Sequence, residues 1–316
     1  MSAMSPDVNH RARRAQILHA HPAVRSLFGP DPLVAVFGVG AMVLQFALAV
    51  LAMRLPWWGV LLLAVGAGAF IMHAINCVVH ECTHNLVFRS PALNKAFAQF
   101  VSLPGLVPSA AAFRHYHLLH HSFFGLRYMD SDVASHWEVR VVGRSAWRKL
   151  VWLLLLPLSY TVLHPLFVRQ RIPLDGWLVA NVVSTILAWW FVVTFVGWPA
   201  IAYLLISTYL SVGPHPAGAH ILQEHIAFDG GDGMASYYGP INLISVNLGY
   251  HLEHHDIPQI AGWRLPELQR LAPQFYEDQF RHASRLRGLW QFVTNPGIGL
   301  DSRPIKEIDA GLSVAS

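Results

Sequence analysis

Histidines in three short stretches of this sequence have the spacing of metal ligands. The stretches are residues 80–84 (HECTH), 115–121 (HYHLLHH) and 251–255 (HLEHH), and the whole chain holds 19 histidines. On a helix, positions i, i+3 and i+4 share one face, so HxxxH offers two imidazoles to one point and each HxxHH offers three. The candidate ligands are His80, His84, His117, His120, His121, His251, His254 and His255. Without a metal, many of their buried ring nitrogens would lack partners, so the pattern predicts a metal centre.

The number of histidines indicates which metal the centre holds. Imidazole suits zinc, copper, iron and nickel. A single zinc takes four ligands, and a catalytic zinc keeps one of those positions open. Eight or more histidines exceed that number and fit two metal ions of higher coordination. We interpret the pattern as two iron ions, because a redox-active pair suits oxygen chemistry on an inert C–H bond; the spacing alone leaves other metals open.

The composition places this centre in a membrane protein. The chain is 54% hydrophobic and 13% charged, with a mean hydropathy of +0.39, whereas soluble domains carry about 25% charged residues. Neither a linker nor an internal repeat divides the chain, so we predict a single domain, residues 1–316. The net charge of +4 does not indicate nucleic-acid binding, which needs basic residues clustered on a soluble face.

Four stretches are long and apolar enough to cross a membrane, which takes about 20 residues. They are residues 33–53, 57–79, 177–196 and 199–222. With these spans, 21 of the 22 Lys and Arg, all but Arg54, lie on one side of the membrane. This positive-inside pattern predicts a multi-pass protein with both termini in the cytoplasm.

The segments outside the spans, residues 80–176 and 223–316, are predicted to form a cytoplasmic cap. Two apolar stretches in the cap, residues 92–108 and 150–168, are predicted to be interfacial or re-entrant helices, since a fifth span would move the basic C-terminal tail to the opposite face. The predicted fold is an all-α integral membrane protein. It has four transmembrane helices, a cytoplasmic helical cap that holds a histidine-rich dimetal site, and interfacial helices.

Two other functions fit parts of the pattern. HECTH matches H-E-x-x-H, in which two histidines bind zinc and a glutamate, here Glu81, is the general base of a metalloprotease. An intramembrane zinc metalloprotease would leave both HxxHH groups without a role. A non-enzymatic metal-binding or transport protein would need polar residues along its spans, and the first and third spans hold few beyond Gln45 and Asn181.

The chain resembles the membrane fatty acid desaturase superfamily and, within it, the sphingolipid delta-4 desaturases (dihydroceramide desaturases). The likeness is greatest in SYYGPINLISVNLGYHLEHHDIPQIAGWRLPELQRLAPQFY, residues 236–276. It extends to HPAGAHILQEH at 215–225, to HYHLLHH with the aspartates that follow it, and to RARRAQILHAHPAVRSLFGPDP at 11–32. Leu119 stands where eukaryotic members usually have an acid, and the Gly-rich segment 229–233 differs from the family.

The resemblance implies an oxidoreductase that desaturates a sphingoid, dihydroceramide or related long acyl chain, with hydroxylation as a side activity. It implies two iron ions, molecular oxygen as co-substrate, and a separate electron donor, such as a b-type cytochrome or a ferredoxin with its reductase. By match to the family's histidine groups, the eight histidines become iron ligands. An additional histidine usually completes the set, and His225 is expected to fill that role, with His220 in reserve.

Polar residues near the histidines are candidates for orienting the ligand imidazoles through the second ring nitrogen. They are Glu81, Glu224, Glu253, Asp130, Asp132 and Asp256; for each, a solvated or helix-capping role is the alternative. Asn247 is a further candidate, as a contact of metal-bound water or of the lipid headgroup. Structural roles are expected for His10, His19, His21, His73, His136, His164 and His282, and for the reduced thiols of Cys77 and Cys82.

The localisation that the sequence favours is a bacterial inner membrane, with the endoplasmic reticulum as the alternative. The two cysteines do not form a disulfide framework. The chain begins Met1-Ser2, without the glycine that myristoylation requires. The absence of disulfides and of targeting signals fits either membrane, whereas the missing glycine favours the bacterial one.

Overall fold

The structure is a computed structural model that describes residues 6–228 and 233–307. The start of the chain lies outside the described residues, as does the Gly-rich segment apart from Gly233. The described residues form fifteen α-helices: α1 (Pro6–Ala20), α2 (Leu33–Ala52), α3 (Trp57–Leu63), α4 (Ala69–Thr83), α5 (Pro91–Val101), α6 (Ala110–Ser122), α7 (His136–Val142), α8 (Ala146–Leu158), α9 (His164–Phe167), α10 (Gly176–Phe195), α11 (Trp198–Ser211), α12 (His220–Gln223), α13 (His251–Asp256), α14 (Leu265–Leu271) and α15 (Arg285–Thr294).

The prediction of an all-α membrane fold is confirmed. Four helices have the length and apolar composition of membrane spans: Leu33–Ala52, Trp57–Thr83, Ala146–Phe167 and Gly176–Phe195. Three of them coincide with predicted spans. Large apolar side chains project outward from these helices, for example Val36 on α2 and Ile186 on α10, which are 71% and 60% exposed. Lipid is the natural environment for such surfaces.

The structure differs from the sequence prediction in the fourth span. Instead of one helix over 199–222, the chain forms α11 and then turns that lead to the short helix α12. The 14 residues of α11 rise about 21 Å, less than the roughly 30 Å of a hydrocarbon core. Even so, α11 packs in the bundle against α2 and α4, with Tyr203 and Leu204 fully buried. The Gly197 turn precedes α11, and its φ of +128° is a conformation that favours glycine.

The helix over 146–167 also differs from expectation, because its length and composition are those of a span. A π-helical turn, Ser159–Leu163, lies between α8 and α9, directly after Pro157. Proline removes a backbone donor and disturbs the regular helical hydrogen bonds. α8 packs against α7 and α15, which are elements of the predicted cap, whereas α11 packs against the spans.

The predicted re-entrant segment 92–108 forms two elements: α5 and a 3-10 turn, Leu103–Gly105. The axis of α6 is bent by 116° from this pair. Ser90 caps α5 by accepting a hydrogen bond from the Leu93 amide at 3.3 Å. The bend brings α6 beneath the end of α4, where both helices carry predicted ligands.

An apolar core and a two-stranded parallel pair hold segments of the predicted cap together. Helix α1 packs on α13 through Ile17, which joins Leu252, Ile257 and Leu265 in that core. The strands are β1 (Ser236–Tyr237) and β2 (Arg281–His282), with Ser236 paired to Arg281. Helix α15 then packs on α12, so the C-terminal part of the chain supports the end of the α11–α12 segment.

A close approach between helices makes Gly68 sensitive to substitution. Gly68 ends the π-helical turn Ala64–Gly68 that joins α3 to α4. A Cβ at this position would lie 2.1 Å from Ser207 Oγ and 2.9 Å from Tyr203 Oη on α11. Tyr203 cannot retreat freely, since its hydroxyl donates to Gln45 Oε1 at 3.1 Å.

We therefore predict that Gly68→Ala destabilises the protein by roughly 1–3 kcal/mol, the usual cost of overpacking. Gly66→Ala is the matched control, because nothing lies within 4 Å of a Cβ at Gly66 in the same π-helical turn. The measurement is the melting temperature of each purified variant in detergent. Equal melting temperatures for the two variants would contradict the proposed packing of α11 on this turn.

Candidate metal centre

Helix α4 delivers the first two histidines to the membrane–cap boundary. His80 lies in its last turn and His84 directly follows its end. The last carbonyls of a helix lack intrahelical partners. Arg114 of α6 supplies them here: its guanidinium donates to the carbonyl of Cys82 at 3.0 Å and to that of Thr83 at 2.6 Å. This contact fixes the end of α4 against α6.

The two HxxHH motifs lie on α6 and α13. In each motif, however, the histidine side chains point to two different places. On α6, His117 and His121 face one group and His120 faces the other; on α13, His254 separates from His255. Adjacent residues of a helix are rotated by about 100°, so HH cannot direct both rings to one point. The expectation that each HxxHH offers three rings to one point is therefore wrong.

Five histidines meet on one side of the centre. This five-histidine group consists of His80, His84, His117, His121 and His254, and one ligand nitrogen of each lies within 4.8 Å of the others. His117 Nε2 is 3.0 Å from His84 Nε2 and 3.1 Å from His121 Nε2. The ring of Phe113 stacks on His117 at 4.9 Å and 13°.

Four further histidines meet beside them. This four-histidine group consists of His120, His225, His251 and His255. His120 Nε2 lies 3.4 Å from His255 Nε2, and His225 Nε2 lies 3.2 Å from His251 Nε2. The structure therefore brings all nine predicted ligands, His225 among them, into one centre. The reserve candidate His220 stays outside it, with its Nδ1 2.9 Å from the Ala217 carbonyl.

The spacing of these nitrogens fits metal coordination. At a metal–imidazole distance of about 2.1 Å, two ligands at right angles lie about 3.0 Å apart. The observed Nε2–Nε2 distances of 3.0 to 3.4 Å are close to that value. A ring N–H can serve one acceptor, whereas here several Nε2 atoms face a common centre. A cation shared within each group would satisfy them together.

The charge state of the rings also suits metal binding. Burial lowers the pKa of His225, His251, His254 and His255 well below the usual range, and neighbouring imidazoles lower it further. Lowered pKa values favour the neutral state of these four rings, which is the state that binds a metal. The pKa of His120 is instead raised, because Asp130 and Asp132 lie beside it. Burial also raises the pKa of Glu224 to about 8 and that of Glu253 to about 6.

Asp130 lies behind His120 of the four-histidine group, and Asp132 lies at the side of this group, next to both His120 and His225. Asp130 Oδ1 lies 2.9 Å from His120 Nδ1, and the other oxygen accepts from the Gly125 amide at 2.8 Å. Asp132 Oδ2 lies 3.6 Å from His120 Nδ1 and 3.7 Å from His225 Nε2. A carboxylate on the second ring nitrogen fixes the orientation of a ligand imidazole.

Glu224 is the third carboxylate that lies beside one of the nine histidines. Its Oε2 lies 3.5 Å from His251 Nδ1. Glu81 is less direct: its Oε2 accepts from the Gly262 amide at 3.0 Å, and its Oε1 lies 3.8 Å from His80 Nδ1.

Three other candidates face away from the histidines. Glu253 accepts from Ser236 Oγ at 2.7 Å and from the Tyr238 hydroxyl at 2.6 Å. Asp256 pairs with His10 Nδ1 at 2.7 Å. Asn247 has a left-handed φ of 56°, and its amide donates to the Asn242 carbonyl. In the described part of the chain, the side chain of Asn247 makes no hydrogen bond to any of the nine histidines.

Sequence reasoning missed two residues that border the centre. Phe124 packs its ring edge-on against His120 at 5.4 Å and also contacts His225 and His255. Arg303, near the C-terminus, donates to the Asp132 carbonyl at 2.6 Å and lies 3.7 Å from Asp130. Neither residue belongs to a sequence motif whose spacing would have indicated a role at the centre. The expected structural roles of His10 and His164 agree with their pairing to Asp256 and Glu138.

The chain is similar throughout most of its length to known desaturases. A sequence model of the fatty acid desaturase family matches residues 55–285, and one of the sphingolipid Delta4-desaturases matches residues 5–33. The chain is 35% identical to a sphingolipid delta(4)-desaturase-like protein of Oryza sativa subsp. japonica, over 94% of this chain and 90% of that protein. It is 36% identical to the sphingolipid delta(4)-desaturase of Drosophila melanogaster, over 96% and 94%.

A human relative carries a broader name. The sphingolipid delta(4)-desaturase/C4-monooxygenase of Homo sapiens is 35% identical to the chain, over 93% of this chain and 90% of that protein. The name of this relative combines a delta(4)-desaturase with a C4-monooxygenase.

We predict that Asp130→Asn weakens metal binding by the four-histidine group by about 10–100-fold, as loss of an outer partner does. The five-histidine group should keep its ion. Asp256→Asn is the control, because Asp256 pairs with His10 and not with one of the nine histidines. The measurement is the metal retained by each purified variant in competition with a chelator. Equal losses from both variants would contradict the role assigned to Asp130.

Proposed function

The chain belongs to the fatty acid desaturase family, and we propose that it is a di-iron lipid desaturase that uses molecular oxygen. It is a membrane oxidoreductase with several apolar helices. The proposed reaction introduces a double bond into a sphingoid or related long chain, with hydroxylation of the same carbon as a second outcome. The observation that carries the proposal is the convergence of nine histidines in groups of five and four.

The protein's part in this reaction is to hold and isolate the metal centre. Bound by the two histidine groups, two iron ions would supply the oxidising power for C–H cleavage, with electrons from a separate donor such as a b-type cytochrome or a ferredoxin with its reductase. Asp130 and Glu224 orient His120 and His251, and Phe124 shields the four-histidine group from water. Such positioning matters, because a misplacement of about 1 Å can cost on the order of 100-fold in rate.

The substrate proposal rests on the relatives. The three described above are named for sphingolipids and for position 4, and they cover more than nine-tenths of this chain. The sequence match at residues 5–33 supports the same subgroup. The proposed substrate is therefore a lipid with a sphingoid chain.

The arrangement of Glu81 argues against the zinc metalloprotease. A general base in H-E-x-x-H must face the water on the metal. Glu81 instead is fully buried, and its carboxylate accepts from the Gly262 amide at 3.0 Å. His80 and His84 also share their group with three histidines of α6 and α13, which a protease zinc does not need.

We also propose that the histidine centre lies on the cytoplasmic side. All histidine groups meet at one place, so the chain must cross the membrane an even number of times between α6 and α13. Crossings by α10 and the α11–α12 segment satisfy this condition, with α8 and α9 at the interface against the cap. The relatives described above come from plants and animals, which supports the endoplasmic reticulum over the bacterial inner membrane that the start of the chain favoured.

We predict that the purified enzyme, supplied with an electron donor and a dihydroceramide, yields a product that lacks two hydrogens, and that His254→Ala abolishes it. The loss should exceed the roughly 10–100-fold expected for an outer partner. His136→Ala is the control, since that side chain is 58% exposed and pairs with Glu307. Mass spectrometry of the lipid is the measurement. Full activity in His254→Ala would refute the assignment of the centre.

Metal removal gives an independent test. We predict that a chelator abolishes product formation and that ferrous iron restores it, because the oxidation needs a redox-active ion. Zinc should not restore activity, since it has no redox chemistry. Recovery of activity with zinc alone, without oxygen consumption, would overturn the proposal in favour of hydrolytic chemistry.

A further inference from the structure

A second set of buried polar side chains lies on the membrane side of the histidine centre. His73 of α4 shares a helix face with His80 and His84 of the five-histidine group, because positions 73, 77, 80 and 84 are each about one turn apart. Seven residues separate His73 from His80, about 10 Å along the helix axis. The ring of His220, the histidine that stayed outside the centre, lies 4.7 Å from that of His73.

Polar atoms in this set lack partners in the described part of the chain. His73 is 1% exposed, and its Nδ1 makes no hydrogen bond. Its Nε2 lies 3.7 Å from Cys77 Sγ, a weak partner. Arg285 of α15 is 2% exposed, and its Nε also makes no hydrogen bond. Buried polar atoms without partners are rare and costly. The guanidinium of Arg285 also lies over the Tyr237 ring at 4.9 Å, which leaves its Nε and His73 Nδ1 able to serve a polar ligand.

Arg285 connects this set to the metal centre. Its helix packs on α12, and its backbone carbonyl accepts a hydrogen bond from Gln223 Nε2 at 2.8 Å. Glu224, the next residue, lies 3.5 Å from His251 Nδ1 in the four-histidine group. The set is therefore linked through α12 and Glu224 to the histidine centre.

We propose that His73, His220 and Arg285 form the subsite that binds the polar groups carried by the lipid beside its oxidised carbon. The ligand chemistry is that of a hydroxyl and an amide on adjacent carbons. This inference rests on the proposed function, because it assumes that the lipid is oxidised at the histidine centre. It adds the residues that distinguish a sphingoid chain from a plain acyl chain.

The chemistry of position 4 requires such a subsite. A sphingoid chain carries hydroxyls on carbons 1 and 3 and nitrogen on carbon 2, so its polar groups lie within a few bonds of carbon 4. The reacting carbon must approach its partner to about 3–3.5 Å, and a hydrogen bond adds about 2.8 Å. When two or three covalent bonds of the lipid are added to these two distances, the total is similar to the separation of about 10 Å between His73 and His80 along the helix axis. Arg285 can donate to the ligand, and His73 Nδ1 can donate or accept.

The test compares two lipids that differ in one hydroxyl: a short-chain dihydroceramide and its 3-deoxy analogue. Their binding to the purified metal-loaded enzyme is measured without an electron donor, so that no turnover occurs. For His73→Leu we expect the affinity for the dihydroceramide to fall on the order of 10-fold, the effect of an unpaired buried polar group. The affinity for the 3-deoxy lipid and the metal content should not change.

Two variants separate recognition from folding. His73→Asn retains an amide near the position of Nδ1 and should recover most of the discrimination between the lipids. Ile75→Val, a conservative change at a buried position of α4 outside this set, should behave as the wild type. Equal loss of affinity for both lipids in His73→Leu, or no loss for either, would overturn the subsite.

The same experiment separates failure of the subsite from failure of the proposed function. If the wild type binds and desaturates dihydroceramide but His73→Leu discriminates as the wild type does, only the subsite is wrong. If the wild type neither binds nor oxidises either lipid, the proposed function is wrong and the subsite falls with it.

Discussion

The structure depends on one constraint: nine imidazoles are gathered at the end of the long apolar helix Trp57–Thr83, with several of their Nε2 atoms facing one another. Several of these contacts measure 3.0 to 3.4 Å. Neutral rings at such distances cannot all act as donors, and charged rings would repel one another in a medium of low dielectric constant. A cation shared within each group would resolve the conflict. Folding and metal loading would then be linked, because the bound ions would hold together helices that are far apart in sequence.

The arrangement of helices follows from this constraint. α4 brings two ligands from the membrane, α6 turns back beneath it after the 116° bend, and α13 closes the centre from the cap. Arg114 joins the first two helices by bonding the carbonyls at the end of α4. Polar residues continue from the centre towards the bundle along α4 and α12. The polarity of the side chains therefore decreases in this direction. The predicted metal ligands come first, the hydrogen-bonding groups follow, and the apolar spans come last.

The sequence predicted the class of fold, because helical spacing and hydropathy are local signals, and its resemblance to known proteins predicted the family. It also predicted which nine histidines lie together. It did not predict how the ligands divide, since His120 and His121 are neighbours that face different groups. It also assigned α11 a full span, although the helix ends at Ser211. Asp256 and Glu253 were expected behind the ligands, but their partners, His10 and Ser236, come from distant segments. Contacts of that kind depend on tertiary packing and leave no local pattern.

The most direct test of this account is elemental analysis of the purified wild-type protein after it is expressed with iron and zinc both supplied. The division of the histidines into groups of five and four predicts two iron ions per chain, one in each group. A single zinc ion per chain, with no iron, would contradict the account and leave one of the two groups without a purpose.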